Sequence, residues 1–271
     1  MKSGSLLNNT GDMALKRRAW NVLNGLKLKK GDRILDVGCG DGYYLHLLSN
    51  IGTPLKLAGT DFDKAGLTKA RQNLGKNIPL YHADLMKRLP FKTNTFDKIV
   101  MSEVAEHLPN DIRGLKEVRR VLKPDGILAL TVPNHNYPLF WDPINWLLEH
   151  FLGTHISSGF FAGLWNQHER LYTPEEIKEV VEKAGFKVNT IKPLTFWCLP
   201  FNHYIVNLVA RFLAHGNLSS KDKKALSKYT KDPKRPLLIN LAFDFVNLLD
   251  KLNDFWQPER GGVSVFVKAT K

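Results

Sequence analysis

The chain has 271 residues, 43% of them apolar and 24% charged, which suits a folded domain with a sizeable core and excludes a collagenous or disulfide-framed chain. Its 39 Lys and Arg against 26 Asp and Glu give a formal charge of +13, so an acidic partner such as nucleic acid or anionic lipid suits it. Two cysteines, Cys39 and Cys198, offer neither a disulfide framework nor a metal-ligand cluster, and with a polar N-terminus that lacks the apolar core of a secretory signal they point to a reducing, cytoplasmic setting.

In chain order, residues 13–27 place Leu15, Trp20, Val22, Leu23 and Leu26 at helical spacing. DRILDVG (32–38) reads as a strand, YYLHLLSN (43–50) as a helix, LKLAGTD (55–61) as a strand and AGLTKARQNL (65–74) as a helix. PLYHADL (79–85) is a short strand, FDKIVMSEV (96–104) a strand, DIRGLKEVRRVL (111–122) a helix and GILALTVPN (126–134) a strand. Lys123-Pro124-Asp125-Gly126 marks a turn between the last two. Thr173 caps a further helix, with Pro174 at its first position and Glu175 and Glu176 in its first turn. Gly185 ends that helix, FKVNTIKPL (186–194) is a strand, and GGVSVFVKA (261–269) is the last one. This alternation predicts a doubly wound, mostly parallel α/β sheet in a single domain over 1–271.

Two segments interrupt the alternation. Residues 135–170 hold Trp141, Trp146, Phe151, Phe160, Phe161 and Trp165 and read as an aromatic cap insertion. Residues 197–260 read as an amphipathic helical insertion around a basic loop, Lys221 to Arg235, with seven basic and two acidic residues. Insertions after late strands can overhang a binding crevice. In LLINLAFDFVNLLDKLNDFW (237–256), Asn240, Asp244, Asn247, Lys251 and Asp254 form one narrow polar stripe on an otherwise apolar helix. The run is polar too often to span a bilayer. Residues 201–215 repeat the pattern. Three readings stay open for 201–256: contact with an anionic membrane surface, a cap on the chain's own core, or a homodimer face.

DVGCGDGYY, Asp36 to Tyr44, spends three glycines directly after the first strand. Such a run permits a tight turn and close approach of backbone to a ligand. The spacing is D-x-G-x-G-x-G. The dinucleotide pattern G-x-G-x-x-G fails, because Tyr43 stands where its last glycine belongs. Acidic residues follow the next two strands, in GTDFD and in HADL. FDKIVMSEVAEHLPN, LKPDGILALTVPN and ERLYTPEEIKEVVEKAGF complete an ordered set over residues 30–196. This set resembles the motifs of the class I S-adenosylmethionine-dependent methyltransferases of the small-molecule and lipid type.

The resemblance implies a Rossmann-like, seven-stranded sheet with an antiparallel last strand. It also implies S-adenosyl-L-methionine as cofactor, passing over Gly38, Cys39, Gly40 and Gly42. Asp36 would face the amino-acid end of the cofactor. Asp61, 19 residues beyond Gly42, would take the ribose hydroxyls, with Phe62 beside the adenine. Asp84 would accept from the adenine amine, Leu85 would add apolar contact, and Glu103 would sit near the methionine moiety. For a hydroxyl acceptor, His107 stands in the post-strand position suited to a general base. His135, Tyr137 and His168 flank the aromatic insertion as weaker candidates. Neither the Asn-Pro-Pro-aromatic motif of amine methylases nor a cysteine follows the fourth strand. No zinc spacing, P-loop or Ser-His-Asp motif is present, and no metal is expected. The favoured expectation is O-methylation of a small lipophilic acceptor, such as a quinone precursor or another isoprenoid or lipid-linked compound, with nitrogen and carbon left open as the methylated atom and a membrane surface as one of the three readings of 201–256. An RNA methyltransferase and a non-catalytic cofactor-binding scaffold are the alternatives; no DNA is expected.

Overall fold

Side chains along each central strand divide alternately between two cores. The computed structural model describes residues 10–202, 227–230, 237–256 and 258–271, together with Leu7, Tyr204, Ile205 and Leu208. Its strands are β1 (Arg33–Val37), β2 (Lys56–Asp61), β3 (Leu80–His82), β4 (Phe96–Ser102), β5 (Leu122–Pro133), β6 (Lys187–Leu194) and β7 (Ser264–Thr270). They form one sheet in the order β3-β2-β1-β4-β5-β7-β6. The first five pair parallel with one another, and β7 runs antiparallel to both β5 and β6. The sequence expectation of a mostly parallel sheet with a reversed last strand therefore holds.

The helices are α1 (Met13–Gly25), α2 (Tyr43–Asn50), α3 (Lys64–Leu74), α4 (Asp111–Val121), α5 (Pro143–Leu152), α6 (Pro174–Lys183), α7 (Leu237–Asp250) and α8 (Leu252–Phe255). Leu35, Ile99, Met101, Leu128, Leu130 and Val267 point to one face, where α4 and α6 bring Leu115, Val118, Ile177 and Val181. Ile34, Val100, Ala129 and Phe266 point to the other, against Val22 and Leu23 of α1 and Leu47 and Leu48 of α2. That is the period of two that a pleated strand imposes. Each such large side chain, fully buried, contributes about 1.5–3 kcal/mol. Thr173 caps α6 as expected, in a reciprocal arrangement with Glu176.

Two expectations change. The Lys123–Gly126 turn lies inside β5, because Leu122 already pairs with Phe96 before Ile127 pairs with Lys98. The four residues form a bulge, with Asp125 at φ 58°. The run 237–256 is two helices, broken at Lys251. Most of the helix expected at 201–215, and all of the basic loop except residues 227–230, lie outside the described residues.

The chain leaves β1 toward β2 and β3, then returns to β4 on the other side of β1. A crevice for ligands opens at such a switch point, outside the carboxyl ends of the strands. The glycine run follows β1, and Glu103 to His107 follow β4.

Candidate active site

The loop after β1 is pinned to the end of β2. Gly38 and Cys39 N–H groups both donate to the Thr60 carbonyl, at 2.8 and 2.9 Å. The Gly40 N–H donates to Asp61 Oδ2 at 2.7 Å. Gly38, at φ 69°, faces Val104: a Cβ there would lie 2.3 Å from Val104 Cγ2. Gly40, at φ 48°, has no atom within 4 Å of where its Cβ would stand. One glycine thus lets the post-β4 segment close on the loop, and the other leaves open space beside it. Gly42 starts α2. Cys39 is buried, its sulfur packed near Gly59, and burial pushes its thiol far above its ordinary value.

Asp36 is buried at the end of β1, and its Oδ2 has no hydrogen-bond partner. Burial, then the charges of Asp61 and Asp41, push this carboxyl well above its ordinary value. A cationic group in the crevice would reverse that shift. Asp61 does more than expected of it: Oδ2 holds the glycine loop, and Oδ1 accepts from the Asp63 N–H at 2.7 Å. Each carboxylate oxygen keeps a further lone pair for a ligand hydroxyl.

Phe62 is 71% exposed and is therefore not a core residue. His82 Nε2 donates to its carbonyl at 2.9 Å, which fixes the turn that presents the ring. Asp84 accepts from the Met86 N–H at 2.8 Å through Oδ1. Leu85 is buried in the main core, so it backs this turn more than it offers an open apolar face.

Glu103 stands at φ 56°, an unusual conformation for a residue with a side chain. Its carboxylate is held on both sides, Oε2 accepting from Arg18 Nη1 at 2.7 Å and Oε1 from Thr131 Oγ1 at 2.9 Å. Thr131 Oγ1 is hydrogen-bonded to Ser102 Oγ at 2.7 Å, and Ser102 Oγ to Tyr44 Oη at 2.9 Å. Arg18 also donates to Ser264 Oγ at 3.1 Å. Burial alone would lower its guanidinium, but Glu103 foremost outweighs that and holds it above its ordinary value. Sequence reasoning missed this chain of polar groups. Its one legible signal is the cation Arg18 among the apolar positions of α1.

His107 closes a 3-10 turn, Ala105–His107, where the post-strand position was expected. Its Nδ1 lies 2.8 Å from the Gln167 carbonyl and must donate to it, so the neutral ring carries its lone pair on Nε2. The structure brings His168 to His107, with ring centroids 4.8 Å apart, and both face the buried Glu106. That cluster is absent from the sequence expectations. The weaker candidates separate: Tyr137 is buried and donates to Glu149 Oε2 at 2.5 Å, inside the aromatic cap, while His135 is exposed.

The aromatic insertion is organised by Asp142, which is buried and caps α5. It accepts from the Asn145 side chain at 3.0 Å, the Leu164 N–H at 3.1 Å and Tyr204 Oη at 2.5 Å. From the basic loop, Lys228 pairs with Asp41 at 2.9 Å and Tyr229 Oη donates to the Asp41 carbonyl at 3.0 Å. The described part of that loop thus rests on the glycine run.

Residues 35–130 match a family model described as a methyltransferase domain. The chain is 29% identical over 184 residues to a demethylmenaquinone methyltransferase of Staphylococcus aureus, covering 63% of this chain and 75% of the relative. A phosphoethanolamine N-methyltransferase 2 of Haemonchus contortus, solved with S-adenosyl-L-methionine, superposes with a TM-score of 0.57 at 18% identity over 94% of this chain and 52% of that one. An S-adenosylmethionine-dependent methyltransferase of Mesorhizobium loti superposes with a TM-score of 0.54 at 15% identity, over 94% and 98%. The two structural likenesses bear on fold alone.

Proposed function

We propose that this chain, whose residues 35–130 match a methyltransferase domain, is a class I S-adenosylmethionine-dependent methyltransferase that methylates an oxygen of a small lipophilic acceptor held at a membrane surface. The cofactor supplies an electrophilic methyl group. The crevice residues fit it on three counts: the unpartnered Asp36 oxygen suits the cationic amino-acid end, the space beside Gly40 admits a ligand against the backbone, and Asp61 retains acceptors for the ribose. Phe62 offers an exposed ring for the adenine and Asp84 a carboxylate for its amine. Glu103, fixed by Arg18 and Thr131, would orient the methionine end. His107 Nε2 is the lone pair on the post-β4 turn that would promote loss of the acceptor's proton.

One observation carries the choice of acceptor. The polar stripe of α7 lines the groove against α1, with Asn240, Asp244 and Asp254 still exposed, while an apolar face turns to solvent. Lys16 Nζ donates to Asn247 Oδ1 at 2.6 Å, and Arg17 pairs with Asp250 at 2.5 Å and Asp254 at 2.9 Å. Leu237, Leu241, Phe245 and Leu248 are consequently all exposed along one face, continued by Phe255, 86% exposed, and Trp256. A helix with that face suits an interface plane. No described helix is long and apolar enough to cross a membrane. The name of the Staphylococcus aureus relative supports the acceptor class, a lipophilic quinone precursor, and does not bear on oxygen as the methylated atom.

The test is transfer of a labelled methyl group from S-adenosylmethionine, offered in parallel to a membrane lipid extract and to total RNA. The expected product is organic-soluble and carries a new methoxy group. Label in RNA alone, or a product methylated only at carbon or nitrogen, refutes the reading.

A further inference from the structure

The turn after β4 buries a carboxylate that the fold leaves unsatisfied. Glu106 is fully buried, and neither side-chain oxygen has a hydrogen-bond partner. Removing one charged group from water without a partner costs several kcal/mol, and native structures keep such a group only with a reason.

Two imidazole nitrogens face it. His107 Nε2 and His168 Nε2 each lie 3.9 Å from Glu106 Oε1, and the three ligand atoms, one per residue, fall within 4.8 Å of one another. These separations are too long for direct hydrogen bonds, which end near about 3.2 Å. They suit three donors set around a common centre. Ligands about 2.1 Å from one cation sit about 3–3.5 Å apart, so closure asks for about 1 Å of side-chain movement.

The supporting contacts agree. His107 Nδ1 donates to the Gln167 carbonyl, which turns the Nε2 lone pair toward Glu106. Metal-ligating histidines are oriented in this way by a bond at their other nitrogen. The two loops that meet here are also joined through their backbones and through Tyr172. The Glu169 N–H donates to the Glu106 carbonyl at 3.1 Å, and Tyr172 Oη reaches the Ala105 carbonyl at 3.3 Å and Asp111 Oδ2 at 2.8 Å. Glu103 is already engaged by Arg18 and is not among the ligands.

We propose that Glu106, His107 and His168 bind a divalent first-row transition cation. Two imidazoles and one carboxylate suit Zn2+, Co2+ or Mn2+ better than Ca2+ or Mg2+, which prefer oxygen alone. Three protein ligands leave coordination positions open, and His107, its side chain 41% exposed, sits on the accessible side. Val104, two residues before Glu106, packs on Gly38, so the site adjoins the cofactor crevice. An acceptor hydroxyl on the open positions would ionise more readily, its proton leaving to solvent, so that with the cation bound His107 acts as a ligand in place of its role as base. That role rests on the O-methylation reading; the cation site does not.

The experiment uses the full chain, stripped with a chelator, and the metals alone. Calorimetry with Zn2+ is expected to show one equivalent per chain, and Co2+ to give visible ligand-field bands. His107→Asn and His168→Asn should each weaken binding by about tenfold or more, and the double variant should abolish it. Melting curves and S-adenosylhomocysteine affinity, read on the same samples, separate lost ligands from lost fold, which matters most for Glu106→Gln. Absence of stoichiometric Zn2+ and Co2+ binding by folded protein overturns the site, as does undiminished affinity in the double variant. Equal methylation with and without chelator, in protein that does bind Zn2+, overturns the role toward the acceptor and leaves the site standing.

Discussion

Gly38→Ala probes the contact on which the crevice closes. The new Cβ would stand 2.3 Å from Val104 Cγ2, where ordinary contact begins at 3.4 Å, so about 1.1 Å of overlap must be relieved. Overpacking of that kind costs about 1–3 kcal/mol, and holding an alanine at φ 69° adds about 1–2 kcal/mol. The sum is about 2–5 kcal/mol, measurable by urea unfolding with linear extrapolation. Val104→Ala separates the two parts. Without its γ-carbons the nearest Val104 atom is the Cβ, at 3.4 Å, which is tolerable. The double variant should therefore recover the overpacking part and keep the backbone strain, giving a coupling of about 1–3 kcal/mol in a double-mutant cycle. S-adenosylhomocysteine affinity should fall in Gly38→Ala and return in part with the second change, because the glycine loop and the post-β4 turn shift together. Additive stabilities, or an unchanged affinity in the single variant, would refute the claim that this contact sets the crevice.

Asp36 makes cofactor-free stability depend on pH. Its carboxyl is raised by burial, so the unfolded chain ionises as pH passes 3.8 while the folded chain holds its proton to a higher pH. The stability it contributes is complete below that pH and is lost as pH rises through the folded value. Asp36→Asn should raise the melting temperature at about pH 8 more than at about pH 5 and weaken S-adenosylhomocysteine binding; an equal shift at both pH values counts against it. Arg17→Met strands Asp250, whose side chain is 9% exposed, and should destabilise the chain by about 2–4 kcal/mol, less than a fully buried pair because Lys16 lies 3.6 Å away. A melting temperature equal to that of the parent would show that α7 is not held by this pairing.

The sheet was legible because its signals are local. A period of two, glycine and proline punctuation and the Thr173 cap each act within a few residues, and all pointed to one alternation. The acids after β1, β2 and β3 were legible for the same reason. What the sequence concealed depends on contacts between distant segments. Arg18 reaches Glu103 only because α1 lies across the sheet. His168 reaches Glu106 only because the aromatic insertion folds back on the post-β4 turn. The Lys123–Gly126 turn residues were read correctly as a break in regular backbone, but pairing of Leu122 with Phe96 puts the break inside a strand.

The second helical insertion shows where a helical wheel stops informing. The wheel gave a polar stripe and an apolar face on 237–256, and habit turns the apolar face to the core. The structure does otherwise: Lys16 and Arg17 of α1 pair with Asn247, Asp250 and the exposed Asp254, and the helix keeps one apolar face in water. Turning α7 about its axis would bury its leucines but strand Arg17 and Asp250, the best shielded of these charges, at several kcal/mol for each one left uncompensated. The outward face leaves at least six large side chains largely in water. At about 1 kcal/mol for each half-exposed one, their gross drive toward an apolar partner is about 6 kcal/mol, of which the cost of association removes a large share. That surplus suits reversible attachment to a lipid surface. Replacing Leu241, Phe245 and Leu248 by serine should therefore remove vesicle binding while the melting temperature stays close to that of the parent. A large loss of stability would instead mean that this face is covered by the chain itself.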